Sequence, residues 1–124
     1  MTQSQLLGKL SYELELLKAL RTQNEGKETY VVANERYVHV REGYGLNDTD
    51  FLVVAPFSAR YATIFYSKKD AEYRGMDYNL IDGERNKVEL KIIPAIEFYS
   101  KVIEMIQTII IHLQIASKKS KLYV

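Results

Sequence analysis

The sequence predicts an α+β fold: an N-terminal helix, a four- to five-stranded, mostly antiparallel sheet with a short inserted helix, and a long C-terminal helix packed on the sheet. Apolar residues recur with a helical period near both ends of the 124-residue chain. Between them, short β-branched and aromatic segments alternate with turn residues, as in hairpin-connected strands. No repeat or linker divides the chain, so we expect one domain over residues 1–124, with a short basic tail at 118–124.

The composition excludes several classes of protein. The 47% hydrophobic and 27% charged content is ordinary for a globular domain, and a net charge of +1 creates no general attraction to nucleic acid or anionic membranes. The absence of cysteine excludes disulfides and thiolate zinc sites. No secretory signal or membrane-spanning run is recognisable, so we expect a cytoplasmic protein, or one in the host cytoplasm if it is viral. Ten tyrosines without tryptophan or cysteine favour a thermophilic or viral source.

The first helix is predicted over residues 3–22. Its leucines follow a helical spacing and form one stripe: Leu7, Leu10, Leu14 and Leu17, widened by Leu6, Leu16 and Leu20. Thr2 and Gln5 match a capping box, and Gly26 supplies a stop. The stripe fits one side of the domain core better than a helix–helix dimer seam, because two heptads are too short to specify a coiled coil.

A hairpin is predicted over residues 28–33 and 36–41. Its turn is placed at Asn34-Glu35, because asparagine tolerates the positive φ of a tight turn. In that register Val31 lies opposite Val38 on one side. The other side carries Tyr30 opposite His39, Val32 opposite Tyr37, and then Arg41. We therefore expect one aliphatic face and one aromatic, basic face.

The middle of the chain predicts further strands. Residues 51–55, an unbroken apolar run closed by Pro56, are predicted as the central strand. Residues 61–66 favour a strand by propensity, although a helix over 58–74 is the alternative. Ser67 and Asp70 predict a short helix ending near Gly75. Asp82-Gly83 predicts a turn between strands at 78–81 and 87–93, and the second of these alternates apolar and charged residues.

The last helix is predicted over residues 94–117, with Pro94 at its first position. One face is apolar, and the opposite face begins polar but continues with Ile111 and Ile115. Two exposed isoleucines one turn apart form a patch that soluble monomers tend to avoid. We therefore expect them to be covered by a second copy or another protein. Cover by the leucine-rich first helix is the competing interpretation.

Few residues suit catalysis. No serine lies in a nucleophile elbow and no glycine-rich phosphate loop is present. His39 and His112 lie in different elements: His39 is expected on an exposed sheet surface and His112 as a partly buried or interfacial residue. Asp48 and Asp50 resemble the opening of a calcium loop, but the later ligands are missing. Enzymatic activity stays undecided and its absence is favoured; no cofactor or metal is expected.

Glu13 lies on the first predicted helix, Asp50 precedes a predicted strand, and Lys68 follows the next one. With these residues in this order, residues 5–70 resemble in topology the restriction-endonuclease-like nucleases, including archaeal Holliday-junction resolvases. Tyr66 stands where the second metal-binding carboxylate of that family belongs, so the metal would lose a ligand. The resemblance implies a degenerate or metal-dependent nuclease-like domain as the second alternative function.

The leading interpretation is a small non-enzymatic binding module that acts by protein–protein association, as a homodimer or with another protein, through the last helix. Its candidate interface is Ile111, His112 and Ile115. The first alternative is nucleic-acid binding, in which aromatic side chains stack on bases and cations hold phosphates. The residues for that surface are Tyr30, Tyr37, His39, Arg41, Arg60, Tyr66, Lys68 and Lys69. No membrane partner is expected.

Overall fold

A computed structural model describes residues 2–40, 51–53, 59–76 and 78–122. Its elements are α1 (Gln3–Gln23), β1 (Tyr30–Ala33), β2 (Tyr37–His39), β3 (Phe51–Val53), a 3₁₀ helix (Ala59–Tyr61), α2 (Lys68–Asp70) continued by a π-helix (Ala71–Gly75), β4 (Lys91–Pro94) and α3 (Ala95–Leu122). The predicted α+β fold is confirmed, with an N-terminal helix, an antiparallel sheet and a long C-terminal helix packed on it. In the described part of the chain, no helix combines the length and apolar character needed to cross a membrane.

The helix ends follow local chemistry. The predicted capping box is present, since Thr2 Oγ1 accepts from the Gln5 amide and Gln5 Oε1 accepts from the Thr2 amide. After α1 the chain turns through Gly26, whose φ of 72° suits glycine. Pro94 is the last residue of β4 rather than the first of the helix. The next amide, that of Ala95, donates to the Thr29 carbonyl, so the helix begins one residue later than predicted.

The strands pair antiparallel in the order β3-β2-β1-β4. Ala33 pairs with Val38, so the predicted register of the β1–β2 hairpin is wrong by two residues. The cause is Asn34, whose Oδ1 accepts from the amides of Arg36 and Tyr37 and places the turn at Glu35-Arg36. Because side chains alternate with a period of two, this shift leaves every residue on its predicted face.

Several strand predictions are wrong. Among the described residues β3 lies at the end of the sheet rather than at its centre. Residues 61–66 and 78–81 form isolated bridges instead of strands. The last strand was predicted over residues 87–93, but continuous pairing begins only at Lys91 and ends at Pro94. The Asp82 turn does form, because Asp82 Oδ1 accepts from the amides of Glu84 and Asn86. The predicted alternation of apolar and charged residues at 87–92 is still seen in the burial of the side chains, since Val88 and Leu90 are buried.

One face of the sheet, called here the helical face, packs against α1 and α3. Its strand residues are Val31, Ala33, Val38 and Val40. From α1 it receives Leu10 and Leu17, and from α3 it receives Phe98, Tyr99, Val102, Ile103 and Ile106. All of these side chains are buried, and burial raises the pKa of the Tyr99 hydroxyl to about 12. The predicted packing of the long C-terminal helix on the sheet is therefore confirmed, and α1 contributes to the same buried cluster.

The opposite face, called here the loop-covered face, is closed by irregular chain. Val32 packs there with Phe65, Ala71, Val88 and Leu90. Phe65 is held by paired backbone hydrogen bonds with Tyr30, at 2.8 and 2.9 Å. Gly75 approaches so closely that a Cβ there would lie 2.7 Å from Val32 Cγ2. This face was expected to be an open aromatic and basic surface, and that expectation is wrong where these residues cover it.

Candidate interaction surface

The most exposed apolar feature of α3 is a stripe along its outer side. Ile111 and Ile115 lie one helical turn apart and are 53% and 46% exposed. We call the outer stripe the set Glu104, Thr108, Ile111, Ile115 and Lys118, whose spacing of three and four residues places them on one side of a helix. It begins with an acid, continues with two isoleucines and ends with a base.

Ile111 and Ile115 are exposed because the opposite side of α3 is the one that packs into the core. Val102, Ile103 and Ile106 are buried against α1 and the helical face. A helix packed on one layer can bury one continuous face, and side chains on the opposite side remain in solvent. Within the described residues Ile111 and Ile115 are therefore not covered by α1, which was the competing interpretation.

The length of α3 also contributes. The amide of the Gln3 side chain donates from Nε2 to the Leu113 carbonyl at 2.7 Å, so the beginning of α1 lies beside Leu113. At its other end α1 leads into the segment that bonds the start of α3, and the two helices are therefore antiparallel. At about 1.5 Å per residue, α3 extends about 13 Å past Leu113. Ile115 and Lys118 lie on this extension.

The polar residues of the stripe have few partners inside the chain. Thr108 Oγ1 donates to the Glu104 carbonyl within the helix. In the described part of the chain neither Glu104 nor Lys118 forms an ion pair, whereas Lys101 and Glu97 on an earlier turn do, at 3.2 Å. His112, expected to be partly buried or interfacial, is exposed beside Ile111. Within those described ranges, the stripe is thus an apolar patch with an unpaired charge of opposite sign at each end.

The residues predicted to bind nucleic acid are divided between different places. Tyr30 and Tyr37 lie half-buried on the loop-covered face, and Lys68 Nζ lies 5.9 Å from the Tyr30 ring centroid. His39 was expected on an exposed surface but is buried, with its ring 5.5 Å from that of Phe65. Lys68 is exposed beyond Phe65, and so are two further members, Tyr66 and Lys69. Arg41 lies outside the described residues.

Arg60 contacts α1 instead of joining those tyrosines. Its Nη1 lies 3.3 Å from Oε1 of Glu13, whose exposed fraction is only 3%, and its guanidinium lies 4.8 Å from the Tyr61 ring centroid. Glu13 Oε2 and Arg60 Nε are buried without a hydrogen bond in the described part of the chain. Burial raises the pKa of the Glu13 carboxyl, and Arg60 lowers it by less.

This ion pair, in which Glu13 is buried and the Arg60 side chain is 31% exposed, is the arrangement that sequence reasoning missed. A signal was available: Glu13 follows Leu10 by three residues and precedes Leu17 by four, so it occupies a position of the leucine stripe. An acid on a buried helix face needs a partner, and Arg60 supplies it. The nuclease-like interpretation gave Glu13 a metal-binding role, but its carboxylate is engaged by Arg60. Asp50 lies outside the described residues.

Neither a cluster of metal ligands in the described residues nor a related protein indicates a function. Among the described residues, no group of three or more histidine or acidic side chains is arranged to hold a metal ion. No protein-family model matches the chain, and comparisons with curated proteins and with solved structures found no similar one. A functional interpretation therefore depends on the surfaces of the molecule itself.

Proposed function

We propose that this protein is a small binding module that acts by self-association, with the outer stripes of two α3 helices packed against each other. The observation that supports the proposal is the pair of half-exposed isoleucines on a helix whose other side is already buried. Apolar side chains one turn apart on a helix are the usual contacts of helix–helix packing. A second copy presents the same patch, and most homodimers are built from such self-complementary surfaces.

The charges favour an antiparallel arrangement. Glu104 and Lys118 are equally distant in sequence from Ile111, on the two sides of it. If a two-fold axis passes at Ile111, then Glu104 of each copy lies opposite Lys118 of the other, and two ion pairs form. A parallel arrangement would instead bring equal charges together at both ends of the stripe. The antiparallel pairing would supply partners for both charges, at up to about 1 kcal/mol for each exposed pair.

The expected dimer is weak. Full burial of an isoleucine contributes about 1.5–3 kcal/mol, so four half-exposed isoleucines contribute roughly 3–6 kcal/mol together. Association costs at least about 4 kcal/mol in lost translational and rotational freedom. The isoleucines alone therefore leave at most about 2 kcal/mol, and the two charge pairs add up to about 2 kcal/mol more. A total of about 4 kcal/mol corresponds to a dissociation constant of about 1 mM, which is the value we expect.

Sedimentation velocity over a range of protein concentrations tests the proposal. The wild type should shift from monomer to dimer as concentration rises, and Ile111→Glu should stay monomeric, because the substitution places two carboxylates at the two-fold axis. Ile81→Glu is the matched control: Ile81 is 58% exposed, on a loop outside α3, and its substitution should leave the dimer intact. Far-ultraviolet circular dichroism checks that each variant is folded.

Charge exchange tests the orientation. Glu104→Lys and Lys118→Glu should each weaken the dimer about two- to fivefold, and the double variant should regain most of the wild-type affinity. A wild type that stays monomeric up to about 1 mM would contradict self-association. Equal weakening by Ile81→Glu and Ile111→Glu would show that the isoleucine stripe is not the contact.

A further inference from the structure

A groove of about 480 Å³ lies between the first turns of α3, strand β4 and the β1–β2 turn. Its floor is apolar and consists of Ile93, Phe98 and Val102, and Met105 is the fourth apolar residue of the lining. Phe98 and Val102 are buried, and Met105 is 37% exposed at the opening. We call this feature the α3–β4 groove; it is separate from the outer stripe, which begins at Glu104 and continues towards the end of α3.

The rim of the groove is mainly cationic. Arg36, Lys91 and Lys101 line it, with Glu35 as the acidic residue among the lining side chains. Lys101 is balanced by Glu97, which lies outside the lining. Lys91 forms no ion pair with any residue in the described ranges. The Arg36 guanidinium lies 5.7 Å from the Tyr37 ring centroid, and its charge is the smallest of the influences that lower the pKa of Asp82.

The backbone that carries these cations is fixed by hydrogen bonds. Asn34 Nδ2 donates to the Glu89 carbonyl at 3.0 Å, and this bond ties the β1–β2 turn to the segment that leads into β4. Asn34 Oδ1 accepts from the Arg36 amide at 2.8 Å. Arg36 and Lys91 therefore extend from two segments that are linked by one side chain. Positioned cations cost less side-chain and backbone ordering on binding than cations on free loops.

We propose that the α3–β4 groove binds a small amphiphilic monocarboxylate, with its apolar chain on the floor and its carboxylate between Lys91 and Arg36. The volume lies within the range of about 300–1,000 Å³ that is usual for small-molecule sites. An apolar floor requires an apolar body, and a cationic rim requires an anionic group. Because Glu35 and Glu97 offset part of the positive charge, one negative charge fits the rim better than the several charges of a polyphosphate. The arginine fork matches the two oxygens of a carboxylate.

Titration of the full chain with decanoate, followed by amide chemical shifts in two-dimensional nuclear magnetic resonance, tests the proposal. The shifts should concentrate at residues 34–36, 91–93 and 98–105. Decanol, which has the same chain and no charge, should bind at least tenfold more weakly, because a charge-assisted hydrogen bond would be lost. Lys91→Glu and Arg36→Glu should each weaken decanoate binding about ten- to hundredfold.

Three further variants test whether decanoate binds in the groove or elsewhere on the surface. Met105→Trp should reduce binding by filling the opening, and it changes a half-exposed position rather than the buried core. Lys9→Glu changes an exposed lysine of α1 outside the groove and should leave binding unchanged. Ile111→Glu disrupts the outer stripe and should also leave it unchanged.

Three results would overturn the proposal. Equal affinity for decanol and decanoate would show that Lys91 and Arg36 do not bind the carboxylate. Equal weakening by Lys9→Glu and Lys91→Glu would indicate general electrostatic attraction, and loss of binding in Ile111→Glu would place the ligand on the outer stripe. Because the groove and the stripe use different residues, either proposal can fail while the other holds.

Discussion

The two faces of the sheet are buried in different ways. The helical face is covered by α1 and α3, two long helices whose apolar residues recur with a regular period. The loop-covered face is closed by Phe65, a short π-helix and the segment around Val88 and Leu90, which pair with the sheet and each other mainly through single bridges and isolated hydrogen bonds. The difference shows that a sheet face can be buried by irregular chain, which has no periodic sequence pattern from which the burial could be predicted. It also predicts different mechanical properties: rigid cover on one face and adaptable cover on the other.

The largest effect is expected on the helical face. Ile106 is fully buried in the cluster that α1 and α3 form with this face, and Ile106→Ala should lower the free energy of unfolding by about 4–5 kcal/mol, near the upper end of measured large-to-small substitutions. The reason is that two long helices cannot move independently into the cavity. Urea unfolding followed by circular dichroism measures the loss. A loss below about 2 kcal/mol would show that this face repacks easily.

A smaller effect is expected for the same kind of truncation on the loop-covered face. Leu90 is almost fully buried against Val32 and Phe65, and Leu90→Ala should cost about 2–3 kcal/mol. Irregular chain can shift into the space that the substitution leaves, so less cavity remains. The same urea experiment gives the value. If Leu90→Ala proves as costly as Ile106→Ala, the two faces are equally rigid and the contrast fails.

The tightest contact of the loop-covered face gives the third prediction. A Cβ at position 75 would lie 2.7 Å from Val32 Cγ2 and 2.8 Å from Phe65 Cζ, so Gly75→Ala should destabilise by about 1–3 kcal/mol through overpacking. In a double-mutant cycle, Val32→Ala should relieve part of this cost. Gly83→Ala is the matched control, because a Cβ there meets nothing within 4 Å. Thermal unfolding of these variants beside the wild type separates steric crowding from a general effect of removing glycine.

The smallest effect concerns the ion pair beside the helical face. Burial raises the folded-state pKa of Glu13, so the folded protein holds this proton more tightly than the unfolded chain does. The stabilisation from Glu13 is therefore complete below its ordinary pKa and is lost as pH rises through the raised value. Glu13→Gln cannot titrate. The stability difference between the wild type and Glu13→Gln should consequently move in favour of the variant as pH rises from about 4.5.

Unfolding curves of both proteins at matched pH values test this prediction. Asp70 and Asp82 have lowered pKa values, Asp70 chiefly through its hydrogen bonds from Arg74 and Asp82 through backbone amides. Their contributions disappear as pH falls through those values, but they occur in both proteins and cancel in the difference. A pH-independent difference would mean that the Glu13 carboxyl titrates as it does in the unfolded chain.

The parts of the fold that the sequence predicted are those with a strong local signal. Thr2 and Gln5 identified the start of α1, and the isoleucine and valine spacing of residues 99–113 identified the buried side of α3. The same pattern singled out Ile111 and Ile115, and both are exposed. Even the hairpin error preserved the faces, because Asn34 moved the turn by one residue and thereby changed the pairing register by two.

The predictions that were wrong concern segments whose structure depends on contacts with residues far away in the sequence. Residues 61–66 have strand propensity, but Phe65 bonds to Tyr30 at one point and the chain then turns into α2. Residues 78–81 likewise lack a continuous partner strand, and the bridge at Ile81 is the part of that pairing that forms. His39 was placed in solvent because nothing in its own strand shows that Phe65 will cover it. The cations of the α3–β4 groove come from three separate segments, so no sequence motif joined them.

The sequence by itself determined the two helices, the hairpin faces and the surplus of apolar residues on the last helix, because these follow from periodicity and capping within a few residues. Only the tertiary structure decided what covers the second face of the sheet, which partner Glu13 has and which cations line the α3–β4 groove. Those outcomes depend on contacts between segments far apart in the chain, whose free energy is gained only when the segments meet. Local pattern fixes which side of an element is apolar, and packing fixes what that side touches.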